Sequence, residues 1–147
     1  RTGLLLLDAE LEEMKNGKGS LTVVFLDIDR LKAVNDTYGH LMGDKVLVSV
    51  AKLIRRSMRS EDLAGRFGGE EFILVLVGTD QTGGKIFAER LRQKTEQMKV
   101  NGMRSKVTMS IGVTELLAED TSDEAIRRAD EAMYQAKRAG RNKVVVL

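Results

Sequence analysis

Arg66-Phe67-Gly68-Gly69-Glu70-Glu71-Phe72 is the stretch on which the fold turns. Apolar runs stand on both sides of its two glycines, Leu63-Ala64 before and Phe72-Ile73-Leu74-Val75-Leu76-Val77 after. That pattern predicts a tight β-hairpin with two adjacent carboxylates at its tip. Arg66 is the only base beside them, so the acids repel each other and call for a counter-ion, for which a divalent cation is the natural choice. A second acidic pair, Asp27-Ile28-Asp29, closes the apolar run Leu21-Thr22-Val23-Val24-Phe25-Leu26. Carboxylates at the end of a buried strand, facing carboxylates on a hairpin tip, make an oxygen-donor site suited to magnesium or manganese. The spacing alone gives equal weight to solvated turn acids.

Working outward, residues 4–14 read as a helix stopped by Asn16-Gly17, and residues 21–26 as a short buried strand. Residues 29–34 allow one or two helical turns, and 35–43 read as a polar loop. Asp44 then caps a helix over 45–58, with Val46, Leu47, Val50, Leu53 and Ile54 at helical spacing. Residues 63–67 and 72–77 form the hairpin, and 78–84 a turn-rich connection. Phe87, Leu91 and Met98 line one face of the next helix. Residues 106–115 alternate as a strand, with Val107, Met109, Ile111 and Val113 on one side. Ser122 or Asp123 caps a helix running to Arg138, Gly140 stops it, and residues 143–147 form a last strand. This order predicts an α/β (α+β) fold of the ferredoxin-like palm type. Its sheet is mixed and mostly antiparallel, with about five strands flanked by helices.

The chain of 147 residues suits one domain, and its aromatic content of 4% leaves the core to aliphatic side chains and Met. It has no cysteine, so disulfides and thiolate metal sites are excluded, which fits a reducing, cytoplasmic setting. It has no proline, hence no proline-rich linker. Its acids and bases are interspersed at a net charge of +2, which argues against a nucleic-acid-binding stripe. Its apolar runs are too short for a membrane span.

Several blocks, in order, resemble the GGDEF-domain diguanylate cyclases. Gly68-Gly69-Glu70-Glu71-Phe72 is similar to the family's signature, with Glu in place of its first acid. Asp27-Ile28-Asp29, Lys32, Asn35-Asp36-Thr37-Tyr38-Gly39-His40 and Gly43-Asp44 resemble its nucleotide-binding segment. Ser110-Ile111-Gly112-Val113 and the run from Arg128-Ala129-Asp130 to Gly140-Arg141-Asn142 resemble its C-terminal half. The opening motif departs from the family pattern: Thr2-Gly3-Leu4 remain, but Leu6-Leu7 stand where the family has Asn-Arg. An arginine that would support product inhibition is therefore missing. Leu31 replaces a family Phe. The abrupt start inside that motif reads as a single domain, 1–147, cut from a longer protein with a sensory or receiver module upstream.

The resemblance implies a site, residue by residue. Asp27, the carbonyl of Ile28, and Glu70 would hold magnesium or manganese, two ions per active site, with Glu71 as a further ligand. Glu70 would also help deprotonate an attacking 3′-hydroxyl, and Asp29 would be structural. Guanine presents N1–H and N2–H donors on one edge, so a carboxylate such as Asp44 favours it over adenine, while Asn35 can both donate and accept. Without the family match, Asn35 also fits a loop-forming Asn, Asp44 a pure helix cap and His40 a loop hydrogen bond. In the family these three positions contact the substrate. No Walker loop is present. Lys32, Lys137 and Arg141 could instead neutralise a triphosphate, although on sequence alone the last two read better as helix-dipole partners.

Arg59-Ser60-Glu61-Asp62 matches the family's Arg-x-x-Asp inhibitory site, to which Arg90 would add a second arginine. By itself the pattern is most often a surface ion pair worth about 0–1 kcal/mol. The implied activity is condensation of two GTP into cyclic di-GMP and two pyrophosphates, in a homodimer, with feedback by the product. Two alternatives stand beside it: a catalytically silent cyclic di-GMP receptor, and a cyclase making a mixed purine dinucleotide.

Overall fold

Antiparallel pairing on both sides of one central strand organises the molecule. The computed structural model describes residues 8–9, 12–13 and 19–147. Strand β1 (Leu21–Ile28) lies between β3 (Glu71–Val77) and β4 (Met109–Glu115), both antiparallel to it. β2 (Leu63–Arg66) pairs antiparallel with β3, and β5 (Val144–Val146) pairs parallel with β4. The order β2-β3-β1-β4-β5 is the expected mixed, mostly antiparallel sheet, ferredoxin-like over its first four strands. Among the described residues from 19 onward the helices are α1 (Leu31–Tyr38), α2 (His40–Ser57), α3 (Gln81–Gln97) and α4 (Ser122–Arg138). Among the described residues no helix is long and apolar enough to cross a membrane.

Every residue of β1 is buried, because helices cover both faces of the sheet. Val24, Leu26 and Ile28 pack with Val46, Val50, Leu53 and Ile54 of α2 and with Ala88 and Leu91 of α3. Leu21, Val23 and Phe25 pack with Ile126, Ala129 and Met133 of α4. The two-residue period of the strand therefore turns Asp27 toward the α4 face. α4 lies close on β4: a Cβ at Gly112 would fall 2.1 Å from the Ala129 carbonyl oxygen and 2.3 Å from the Met133 nitrogen.

Six local readings are corrected. Residues 35–43 are not a loop, because α1 runs to Tyr38 and α2 starts at His40, with only Gly39 (φ 96°) between them. Asp44 thus lies inside α2 and caps nothing. Gly83 and Gly84 belong to α3, which Asp80 caps by accepting from the Gly83 N–H. The cap of α4 is Thr121, in a reciprocal capping box with Glu124. β4 starts at Met109, not at residue 106, and Glu71 is the first residue of β3 rather than part of the hairpin tip. The helix expected over 4–14 lies outside the described residues except at Asp8, Ala9, Glu12 and Glu13, which are helical.

Candidate functional site

Acids converge where β1 ends. Asp27 is in register with Glu71 on β3 and with Ser110 on β4, so the three side chains share the α4 face. Like charges directly opposite in an antiparallel pair destabilise it unless something neutralises them. Lys137 of α4 supplies part of that charge, its Nζ donating to Asp27 Oδ2 at 2.7 Å. The other oxygen, Oδ1, is buried without a partner. Burial pushes the Asp27 carboxyl up; Lys137 opposes this, and the charges of Asp29 and Asp130 add to it. Glu70 and Glu71 are also raised, first by burial and then by the Asp27 charge. The cluster is short of positive charge even with Lys137 in place.

The hairpin loop delivers Glu70 to this point. The Ile28 N–H donates to the Glu70 carbonyl (3.2 Å), which ties the loop to the end of β1. The Phe67 N–H donates to the Glu71 carbonyl (2.8 Å), and the Arg66 guanidinium donates to the Gly69 carbonyl. Neither Gly68 nor Gly69 has a positive φ. A Cβ at Gly68 would fall 2.5 Å from Glu71 Oε1, the tip of a side chain that can turn aside.

Asp29 holds the scaffold together. Its carboxylate accepts from Thr108 Oγ1 (2.8 Å), Ser110 Oγ (2.6 Å) and the Asn142 N–H (3.0 Å). This agrees with the structural role expected for it.

The candidate substrate residues Lys32, Asn35, His40 and Asp44 lie on α1 and the first turns of α2. Asn35 Oδ1 is buried without a partner, and it faces Gly43, where a Cβ would fall 1.8 Å from it. Glycine inside α2 is what lets the two helices approach there. Lys32 and His40 are exposed. Asp44 is exposed and lines a groove of about 580 Å³ with Leu41, Lys45, Val48 and Lys99. Lys137 is in the last turn of α4, and Arg141 (φ 66°) is in the corner that follows.

Arg59 and Asp62 form the turn after α2. The Asp62 side chain is only 3% exposed and accepts from the Arg59 N–H and the Val77 N–H, at 3.0 Å each. Arg59 donates through Nη2 to the Val77 carbonyl and to Thr79 Oγ1, both at 2.9 Å, and stays more than half exposed. Both residues line a groove of about 610 Å³ between α2 and β2, together with Arg55, Met58, Arg66 and Phe72. Arg90 lies exposed on α3.

The structure thus brings Asp27, Glu70, Glu71 and Lys137 together. It adds Asp130, to which the sequence reading gave no role. Asp130 stands seven residues before Lys137, on the same face of α4, and its charge helps raise Asp27 and Glu71. That spacing was the available signal. Among the described residues no three carboxylate, imidazole or thiol groups already converge on one metal-sized point. The residues nonetheless fit a hard cation, because the donors are all oxygens and one buried Asp27 oxygen is open.

The protein family described as Diguanylate cyclase, GGDEF domain matches residues 4–143. Diguanylate cyclase A of Treponema denticola is 41% identical over 132 residues, which is 88% of this chain and 36% of that protein. The chain thus spans about a third of that relative's length. The solved active GGEEF domain of a diguanylate cyclase from Vibrio cholerae superposes with a TM-score of 0.94 at 33% identity, covering 99% of this chain and 94% of that one. The GGDEF domain of DgcB from Caulobacter crescentus, solved in complex with c-di-GMP, superposes with a TM-score of 0.92 at 31% identity, covering 97% and 84%. On the match over residues 4–143, with the Gly68–Phe72 hairpin and the Asp27 strand end in the same architecture, this chain belongs to the GGDEF-domain family of diguanylate cyclases.

Proposed function

We propose that the domain condenses two GTP into cyclic di-GMP and two pyrophosphates. In each half-reaction the 3′-oxygen of one nucleotide bonds to the α-phosphorus of the other and pyrophosphate leaves. The observation that carries this reading is the buried, half-partnered Asp27 opposite Glu71 and bonded to Lys137. Asp27, the Ile28 carbonyl, Glu70 and Glu71 would hold magnesium or manganese, which when bound neutralises charge developing on the phosphate oxygens. The chain's own groups do the rest. Glu70, raised by burial and by Asp27, is a base better matched to neutral pH than an ordinary carboxylate and takes the 3′-hydroxyl proton. Lys137, with Arg141 and Lys32, draws the triphosphate toward the acids. Asn35, His40 and Asp44 bind the guanosine end, Asn35 with its unpartnered carbonyl oxygen.

Each domain holds one GTP, so two domains must face each other, and an upstream sensory or receiver module is the expected source of that pairing. Product feedback acts through Arg59, Asp62 and Arg90. In this reading Asp62 shapes the turn and the exposed Arg59 guanidinium contacts the product. The deciding experiment incubates the protein, at high concentration or fused to a dimerising coiled coil, with GTP and magnesium, and identifies the products by mass. Cyclic di-GMP that vanishes with Glu70→Gln is the expected result. Product binding without turnover in confirmed dimers would replace the cyclase with a receptor, and a mixed dinucleotide from GTP plus ATP would change the substrate assignment.

A further inference from the structure

The corner between α4 and β5 is built in an unusual way. Arg141 (φ 66°) and Asn142 (φ 49°) are consecutive non-glycine residues in the left-handed region. Such a conformation costs about 1 kcal/mol or more per residue and persists only where surrounding contacts impose it. Here the contacts centre on Asn142. Its N–H donates to Asp29 Oδ2 at 3.0 Å. Its side-chain Nδ2 donates to Glu96 Oε2 at 2.8 Å, and its Oδ1 accepts from Arg92 Nη1 at 3.0 Å. Glu96 and Arg92 both lie on α3, and Arg92 also pairs with Glu89. Asn142 therefore joins the corner to α3 through its side chain, and through its backbone to the strand end that carries Asp27. Arg141 is the residue immediately before it, with its own N–H held by the Ala136 carbonyl at 3.0 Å. The backbone of Arg141 is thus fixed on both sides.

We propose that Asn142 is a positioning residue: its side-chain bridge to Arg92 and Glu96 on α3 holds the Arg141 corner in its left-handed conformation and so sets the affinity for the triphosphate. Because Asn142 tolerates the left-handed region better than most residues, it suits both the backbone and the bridge. The proposal rests on the assignment of Arg141 to phosphate binding.

The test compares Arg141→Ala, Asn142→Gly and the double variant for binding of GTP and of inorganic tripolyphosphate by titration calorimetry. Thermal melting is read alongside. Glycine keeps the left-handed backbone accessible while deleting the bridge. Asn142→Gly is expected to weaken both ligands about tenfold, below the ~100-fold that a 1 Å misplacement can cost. The double variant is expected to be no weaker than Arg141→Ala alone. Should Asn142→Gly fail to fold, Glu96→Ala removes one of the bridge's two bonds from the α3 side and is expected to weaken binding through Arg141 in the same way. Full affinity in Asn142→Gly beside a weakened Arg141→Ala would overturn the proposal, as would losses that simply add. Unchanged binding in Arg141→Ala would instead overturn the phosphate-binding assignment, and the positioning role with it.

Discussion

At the scale of single residues, the acid cluster makes its own prediction about charge. Asp27, Glu70 and Glu71 all have carboxyls raised by burial and by one another. Between an unfolded value of roughly 4 and their raised folded values, the native chain holds protons that the unfolded chain has released. Their contribution to stability is fully present below the unfolded value and is lost as pH rises through the folded ones. Asp120 runs the other way: hydrogen bonds from Arg128 hold it low, so its contribution is lost only as pH falls. In metal-free buffer the melting temperature should therefore decline as pH rises above roughly 4, and Glu71→Gln or added magnesium should flatten that decline. A slope untouched by both would mean the cluster carries no net repulsion. Glu70→Gln tests the proposed catalytic role of that residue. It should remove turnover while leaving the melting temperature equal or higher, since one repelling charge is gone. Retained activity would reject the base assignment.

At the scale of elements, the seating of α4 on β4 is the most demanding contact. Gly112 faces backbone atoms of α4, which cannot move as a side-chain tip can. Gly112→Ala should cost about 3 kcal/mol or more, read as the shift of a urea unfolding midpoint. Gly65→Ala, with nothing within 4 Å of the added Cβ, should change stability by no more than about 0.5 kcal/mol. Equal effects would show that α4 adjusts freely.

The same contacts explain what was legible in the sequence. The five strands, the hairpin and the three longer helices were readable, because period-two and helical spacing of Val, Leu and Ile report burial directly. Asn35–Gly43 was misread, because α1 is only 8 residues long, buries only Leu31, and is separated from α2 by Gly39 alone. Gly43 and Gly84 looked like turn residues, but they are small because a helix or strand lies against them. Gly43 faces Asn35, and Gly84 faces Thr22 and Val113. The chemistry of the site was legible as residue types. Lys137 bonded to Asp27, and Asp130 turned toward the same acids, were not, since 110 positions separate the first pair and only the fold brings them together.

At the scale of the whole molecule, the symmetry of the proposed product bears on the assembly. Cyclic di-GMP contains two equivalent phosphodiester links, and each domain offers one cluster around Asp27. A two-fold pair of domains, each contributing its own Glu70, matches that symmetry. Specific activity should therefore rise with protein concentration and level off, and a coiled-coil fusion should remove the dependence. Arg59→Ala in the fusion should keep turnover and relieve inhibition by added product. An unchanged inhibition curve would remove Arg59 from the feedback site. A sharper test mixes wild-type protein with inert Glu70→Gln at fixed total concentration under freely exchanging conditions. If both domains of a pair must act, cyclic product falls as the square of the wild-type fraction, to about one quarter at equal mixing. A loss in direct proportion to the wild-type fraction would mean that one competent domain completes both bonds, and the paired-domain mechanism would have to be given up.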